Sequence, residues 1–456
     1  MHLNKALSRV AVLGAAGKMG CGIALILLQE MARLEADEAG HVDGNNRKLI
    51  LIDINEEALP GLRHYLQKHL LKYAEKNINL LRHYYATNIS LVSNEEIIAS
   101  FVDGALDMCL FESDIRIANE AIVIFEAVVE DVELKVNLLK YFKDNSNQFI
   151  FSNTSSIPIN VLRKKTGMDG NLIGVHFYNP PAVQKLIELI TPAGTRPEAK
   201  QLALDLAASL KKIVVESADV AGFIGNGHFA REVVFSCRQT AQLAKNIPLE
   251  EAVYLINRVS GEYLVRPMGI FQLIDYVGVN VVHSILHTMQ TYQHEKLFHD
   301  NLIDRMLEAG ALGGISSDGM MKNGFFQYEN NKPVGVFSLE TKNYRPFDGW
   351  SENIKRALGA LPENYSSWKQ LANDPERQRK IESYFTRLFE SGASGAEIAF
   401  DYLIMSRDIQ MELVRDGVAR NKEDVNKVLI NGFYHLYDAD IPWFNFEHIF
   451  RSNICE

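Results

Sequence analysis

Short apolar runs alternate with segments of helical period along the first half of the chain, and purely helical periodicity takes over after about Phe223. Val10–Leu13 is a short apolar strand leading through a glycine turn into the helical stretch GIALILLQEMARLE. The next strand is Lys48–Ile52, ending at Asp53, and the polar EADEAGHVDGNNR before it is expected to be an inserted loop. A helix follows with Leu62, Leu66 and Leu70 on its inward face and Lys68, Lys72 and Lys76 on the opposite one. A strand is predicted over Ala121–Val128, ending near Glu130 and Asp131. QFIF and LIGVHF, around Ile150 and Val175, have the length and β-branched or aromatic content of buried strands.

Strands that alternate with helices predict an α/β, Rossmann-like doubly wound sheet, followed by an all-α C-terminal region. That region carries a weak internal repeat. REVVFSCRQTAQLAKNIPLEEAVYLINRV is matched roughly 170 residues later by SRDIQMELVRDGVARNKEDVNKVLINGFY, so the helical part is expected to be duplicated. The turn-rich YENNKPVGVFSLETKNYRPFDGW separates the copies and marks the expected junction.

At 456 residues the chain exceeds what one core organises, consistent with two or three domains. Cys21, Cys109, Cys237 and Cys455 are far apart without CxxC spacing, so neither a metal site nor a disulfide framework is expected. The start MHLNKALSRVAVLG lacks the pattern of a leader, and IALILL is too short to span a bilayer, so the expectation is a cytoplasmic protein with no membrane partner. A formal net charge of −10 disfavours nucleic acid.

Candidate chemistry concentrates at strand ends. Gly14, Gly17 and Gly20 form GxxGxxG, with Lys18 and Met19 between, at a strand-to-helix turn, where small residues and free N–H groups suit a pyrophosphate. The spacing is one residue longer than GxGxxG. Asp53 is positioned either to hold a ribose diol or to cap the next helix with Glu56. The lysine stripe is either a phosphate contact or a solvated face. Ser155, His176 and Glu188 combine a hydroxyl, an imidazole and a carboxylate. Each has a structural alternative: a helix cap for Ser155, a satisfied core position for His176, a strand residue for Glu188.

In chain order, GAAGKMGCGIA, LILIDIN, IFEAVVED, SNTSS, GVHFYNPP, KLIELI and ADVAGFIGN resemble the motifs of the L-3-hydroxyacyl-CoA dehydrogenase family, over about Arg9 to Tyr328. PMGIFQLIDYVGVN and KNGFFQY are similar to its helical-domain and closing motifs. The resemblance implies an NAD-binding domain over 1–217, a first helical domain over 218–335 and a second, diverged copy over 336–456, as in the dehydrogenase part of multifunctional fatty-acid oxidation proteins. It further implies that Ser155, His176, Glu188 and Asn226 match the catalytic set, Ser155 and Asn226 also binding substrate. Gly14, Gly17, Lys18, Met19, Gly20 and Asp53 match the NAD site, Glu130 and Lys135 residues near the nicotinamide ribose, and Lys76 a CoA contact. Gly227 stands where the family has arginine, Ala221 where it has proline, and His69 where its arm has serine.

The activity so implied is reversible oxidation of L-3-hydroxyacyl-CoA to 3-ketoacyl-CoA, in fatty-acid β-oxidation or short-chain acyl-CoA metabolism, alongside a hydratase or thiolase. His176 would act as base, oriented by Glu188, with Ser155 and Asn226 donating to the substrate. A free hydroxy acid or sugar acid as substrate, and a catalytically weak structural protein, are the alternatives. The protein is expected to be a monomer with paired helical domains or a homodimer.

Overall fold

The computed structural model describes residues 2–168, 170–293, 298–316 and 319–441, so Cys455 and the end of the expected 336–456 domain lie outside the described residues. Two compact units form, one ending at Val220 and the other beginning at Ala221. Among the described residues, no helix is long and apolar enough to cross a membrane.

The first unit is built on an eight-stranded sheet: β1 (Arg9–Leu13), β2 (Lys48–Ile52), β3 (Cys109–Glu112), β4 (Val123–Glu126), β5 (Phe149–Ser152), β6 (Leu172–Phe177), β7 (Leu186–Ile190) and β8 (Ile213–Ser217). Their order, β3-β2-β1-β4-β5-β6-β7-β8, begins with the 3-2-1-4-5-6 arrangement of a doubly wound nucleotide fold. Pairing is parallel except between β6 and β7. Val10, Val12, Leu49, Leu51, Phe125 and Phe151 are buried in one continuous core, which is why the parallel strands read as unbroken apolar runs. The chain order reverses between β1 and β4. The crevice there, past the carboxyl ends of the strands, is where such folds place ligands.

Three local differences from the sequence expectation have physical causes. The supposed loop EADEAGHVDGNNR is helical up to Ala39, because Glu35 and Ala36 turn inward, and Gly40 closes the helix in the left-handed region at φ 72°. The strand expected over Ala121–Val128 stops at Glu126, whose carboxylate Oε1 accepts the Val128 N–H at 2.9 Å and turns the chain. Strands β3 and β8 were not expected from the sequence because both are half-buried along most of their length and so lack an unbroken apolar run.

In the second unit, the helices Gly225–Leu243, Leu249–Arg258 and Ser394–Arg415 draw on one core, and the helix Lys422–Gly432 buries Val425, Val428 and Leu429. Phe229, Val233 and Cys237 belong to it together with Tyr402, Leu403 and Phe385. Polar ties cross the same contact. Tyr402 Oη donates to Ser236 Oγ at 2.6 Å, His228 Nε2 meets Ser406 Oγ at 3.0 Å, and Tyr437 Oη donates to the Leu264 carbonyl at 2.7 Å. Gly227 suits this packing, since a Cβ there would lie 3.2 Å from Leu413 Cδ2. The turn-rich stretch is itself ordered as a small antiparallel sheet of β9 (Phe326–Glu329), β10 (Lys332–Ser338) and β11 (Asn343–Pro346). It is held to the helices by buried Asp275, which accepts from the Phe325 and Phe326 N–H groups at 2.6 and 2.9 Å and from Tyr328 Oη at 2.9 Å.

Burial pushes the His228 imidazole down to about 4; Glu232 opposes the shift, and Arg266 and Arg231 add to it. The unfolded chain takes up this proton near the ordinary value of 6.5, whereas the folded unit refuses it until about 4. Stability is therefore present above 6.5 and lost as pH falls toward 4, by on the order of 3 kcal/mol for this one group. Urea unfolding of the wild type and of His228→Gln, which retains a partner for Ser406, should show the wild type losing more stability than the variant as pH falls across that window.

Candidate active site

The glycine turn is shaped by contacts that exclude side chains. Gly14 adopts φ +75°, and a Cβ on it would sit 2.8 Å from the Ala127 carbonyl oxygen, beyond the end of β4. A Cβ on Gly20 would lie 2.0 Å from the Gly14 carbonyl oxygen, so only glycine lets the helix Lys18–Ala39 start this close to β1. The extra residue of GxxGxxG is absorbed in a tight turn in which Gly17 N–H donates to the Gly14 carbonyl at 3.1 Å. Gly17 caps the helix without a side-chain hydrogen bond, and no acid occupies the first turn. The helix start thus offers backbone N–H groups and positive dipole to an anion, with exposed Lys18 and half-buried Met19 at the same place. A dinucleotide pyrophosphate fits this cradle.

Asp53 follows β2, where one carboxylate oxygen accepts Ala16 N–H of the glycine turn at 2.9 Å and the other accepts Asn55 N–H at 3.0 Å. The capping box with Glu56 does not form; Glu56 instead accepts from Ser113 Oγ at 2.5 Å. Asp53 couples the turn after β1 to the turn after β2, a role that spacing alone did not reveal.

Next to the turn lies a buried charge network. Lys135 Nζ, on a side chain 1% exposed, donates to Glu126 Oε1 at 2.6 Å and lies 3.4 Å from Glu130 Oε2. The second oxygen of Glu126 accepts from Ser152 Oγ at 2.6 Å. Glu130 Oε1 gathers the serine loop, accepting from Thr154 Oγ1 at 2.6 Å, from the Ser155 and Ser156 N–H groups at 3.0 Å each, and from Ser156 Oγ at 2.9 Å. Burial opposes charge on both groups and is outweighed: Lys135 and then the Thr154, Ser156 and Ser155 donors hold the Glu130 carboxyl below its ordinary value, and Glu126 and then Glu130 hold the Lys135 ammonium above its own. Ser155, half-buried, is fixed by Glu130 through its backbone N–H, with its hydroxyl 3.4 Å from the same oxygen.

The imidazole and carboxylate of the sequence reading meet across β6 and β7, where His176 and Glu188 are register partners. His176 Nδ1 lies 3.2 Å from Glu188 Oε1, with His176 buried and Glu188 fully so. A carboxylate on that nitrogen places the proton on Nδ1 and leaves Nε2 as the basic atom. Tyr178 Oη donates to the same Glu188 oxygen at 2.8 Å. Asn153 ties the serine loop to this strand, its Oδ1 accepting the Phe177 N–H at 2.9 Å. The helix from the glycine turn packs against the loop beyond, where a Cβ on Gly22 would lie 2.7 Å from Pro181.

The remaining expected residues are placed as follows. Lys76 ends the helix Leu59–Lys76, exposed like Lys68 and Lys72, while Leu62, Leu66 and Leu70 are buried. Asn226, half-buried, lies in the first turn of the helix Gly225–Leu243 of the second unit. Glu126, Ser152 and Tyr178 were not singled out from sequence. An acid closing an apolar strand is the signal for Glu126, and a strand period of two from His176 is the signal for Tyr178. Among the described residues no group of three histidine, cysteine or acidic side chains could hold a metal ion.

Fold and site together define a nucleotide-binding α/β protein with a paired imidazole and carboxylate beside the cofactor crevice. Residues 9–220 match the family model of the 3-hydroxyacyl-CoA dehydrogenase NAD binding domain, and residues 251–323 match that of the C-terminal domain. The chain is similar to the 3-hydroxybutyryl-CoA dehydrogenase of Mycobacterium tuberculosis, 28% identical over 335 residues that make up 72% of this chain and 100% of the relative. It is also similar to a peroxisomal fatty acid beta-oxidation multifunctional protein of Arabidopsis thaliana, 26% identical over 333 residues, 72% of this chain but only 39% of that protein. The crystal structure of the Escherichia coli 3-hydroxybutyryl-CoA dehydrogenase shares the fold, with a TM-score of 0.60 and 18% identity over 95% of this chain and 90% of that one. The chain belongs to the 3-hydroxyacyl-CoA dehydrogenase family, and its first unit is the family's NAD-binding domain.

Replacing Gly20 by alanine would drive a methyl group into the Gly14 carbonyl and should cost NADH affinity at least tenfold. Fluorescence titration with NADH reads this directly, and Gly17→Ala, whose Cβ would meet the same oxygen at 3.2 Å, should lose less.

Proposed function

We propose that this chain catalyses the reversible NAD-dependent oxidation of an L-3-hydroxyacyl-CoA to the 3-ketoacyl-CoA, as part of β-oxidation or short-chain acyl-CoA metabolism. The observation that carries this reading is the His176 Nδ1 to Glu188 Oε1 contact of 3.2 Å in the antiparallel pair β6–β7 of an NAD-binding domain. NAD, when bound, supplies the acceptor for the hydride that leaves C3. Gly14, Gly17, Lys18, Met19 and Gly20 would hold its pyrophosphate and Asp53 its ribose, with Glu130 and Lys135 on the nicotinamide side. His176 Nε2 takes the hydroxyl proton during oxidation and returns it to the ketone in the reverse direction. Glu188 stabilises the imidazolium that forms. Ser155 and Asn226 donate hydrogen bonds to the substrate oxygens, where charge develops. The exposed stripe of Lys68, Lys72 and Lys76 supports a CoA substrate, with Lys76 as its contact.

NADH consumption should be seen with acetoacetyl-CoA and be much weaker with free acetoacetate, and His176→Asn should reduce kcat by on the order of 10² to 10⁴. Turnover independent of CoA would instead point to a free hydroxy acid. Near-normal turnover in His176→Asn would remove the assigned base.

The same reading takes 218–335 as the family's helical domain and 336–456 as its diverged copy, packed on the first within one chain. The Tyr402–Ser236 and His228–Ser406 contacts support it. A cytoplasmic setting with hydratase or thiolase partners completes the proposal, supported by the unpaired Cys21, Cys109 and Cys237. Light scattering should give the mass of a monomer, because the second copy occupies the face that would otherwise pair two chains. An obligate dimer built through residues 218–335 would count against the intramolecular pairing.

A further inference from the structure

We propose that Tyr178 is a positioning residue that sets the base strength of His176, by donating its hydroxyl to the Glu188 oxygen that faces the imidazole. The inference rests on the hydride-transfer reading above and extends it to a residue outside the motif-matched set. Continuing the strand period puts Tyr178, just beyond the end of β6, on the same face as His176 two residues before it. Its ring lies 4.9 Å from the imidazole, centroid to centroid, tilted by 36°. Its hydroxyl reaches Glu188 Oε1 at 2.8 Å, closer than His176 Nδ1 at 3.2 Å.

Two donors therefore converge on one carboxylate oxygen, which has two lone pairs to offer. Each donor withdraws charge from the oxygen, so the imidazolium gains less from Glu188 than it would from an unshared carboxylate. Burial and the adjacent Glu188 charge hold the Tyr178 hydroxyl well above its ordinary value, which keeps it a donor throughout the working pH range. Around the imidazole, β7 contributes Glu188. β5 contributes Ser152, and the loop beyond it contributes Asn153 and is tied to Glu130 and Lys135. On β8, Glu216 is paired with Lys200 at 2.8 Å. Tyr178 is thus the neutral group through which the charge on Glu188 is moderated.

Tyr178→Phe keeps the ring and removes the donor. The acidic limb of the kcat/KM profile for oxidation should move up by about half to one unit. NMR titration of isotope-labelled histidine, with His176 assigned through His176→Asn, should show the same upward shift without any turnover. Both shifts should vanish when Tyr178→Phe is made in a Glu188→Gln background. Unchanged titration of His176 in Tyr178→Phe overturns the proposal, as does an equal shift in the Glu188→Gln background. Absence of turnover by the wild type with acetoacetyl-CoA would defeat the functional reading instead, while the NMR titration would still decide the role of Tyr178. Should Tyr178→Phe fold poorly, Tyr178→Leu, which has no donor and is smaller, gives the same comparison.

Discussion

Burying the ammonium of Lys135 is the constraint on which the geometry of the first unit depends. A charge taken out of water demands partners, and here it has the Val128 carbonyl and two carboxylates, Glu126 at the end of β4 and Glu130 in the turn that follows. Each carboxylate then organises a further segment. Glu126 binds Ser152 at the end of β5, and Glu130 collects the N–H and hydroxyl groups of Thr154 to Ser156. One lysine therefore connects two strand ends and the serine loop. Glycine at position 14 allows β1 to terminate against the same region, next to Ala127. Loss of the Lys135 charge would leave Glu126 fully buried without its cation, at a cost of roughly 3 to 5 kcal/mol.

Sheet topology supplies the second half of the arrangement. β7 runs against β6, where the strands before it are parallel, and antiparallel pairing sets residues directly opposite each other. His176 and Glu188 are such a pair, so the orientation of the imidazole is fixed by backbone register as well as by its own contacts. A slip of one residue in either strand would turn its member of the pair to the other face. Fully apolar flanks, LIGV before His176 and LI on both sides of Glu188, bury both faces and make such a slip expensive.

The second unit solves a different problem with similar means. Its helices share one apolar core, and polar groups inside it are matched across the two helix pairs, Tyr402 with Ser236 and His228 with Ser406, while Arg266, shortly after the first pair, is matched with Glu232 within it. Such pairs specify which helix faces meet, since an apolar surface alone tolerates sliding. Asp275 performs the corresponding task for the small sheet by accepting two consecutive backbone N–H groups that the interior would otherwise leave unpaired.

Much of this was legible in one dimension. Apolar runs announced most strands of the first unit, glycines at 14, 17 and 20 announced the turn, and the ordered series of motifs led to the family and to His176 and Glu188, because strand length, turn chemistry and motif order are local properties. What the sequence could not state is which groups meet across distance. Tyr178 met Glu188 only when β7 came to lie opposite its strand, and Lys135, a cofactor neighbour by resemblance, is also the buried hub of the strand ends. Asp53 likewise turned out to brace the glycine turn. The sequence by itself determined the elements, the cofactor class and the residue types available for proton transfer; the tertiary structure alone decided their pairing, because hydrogen bonds and buried charges depend on separation in space, which a chain of this length leaves open until it folds.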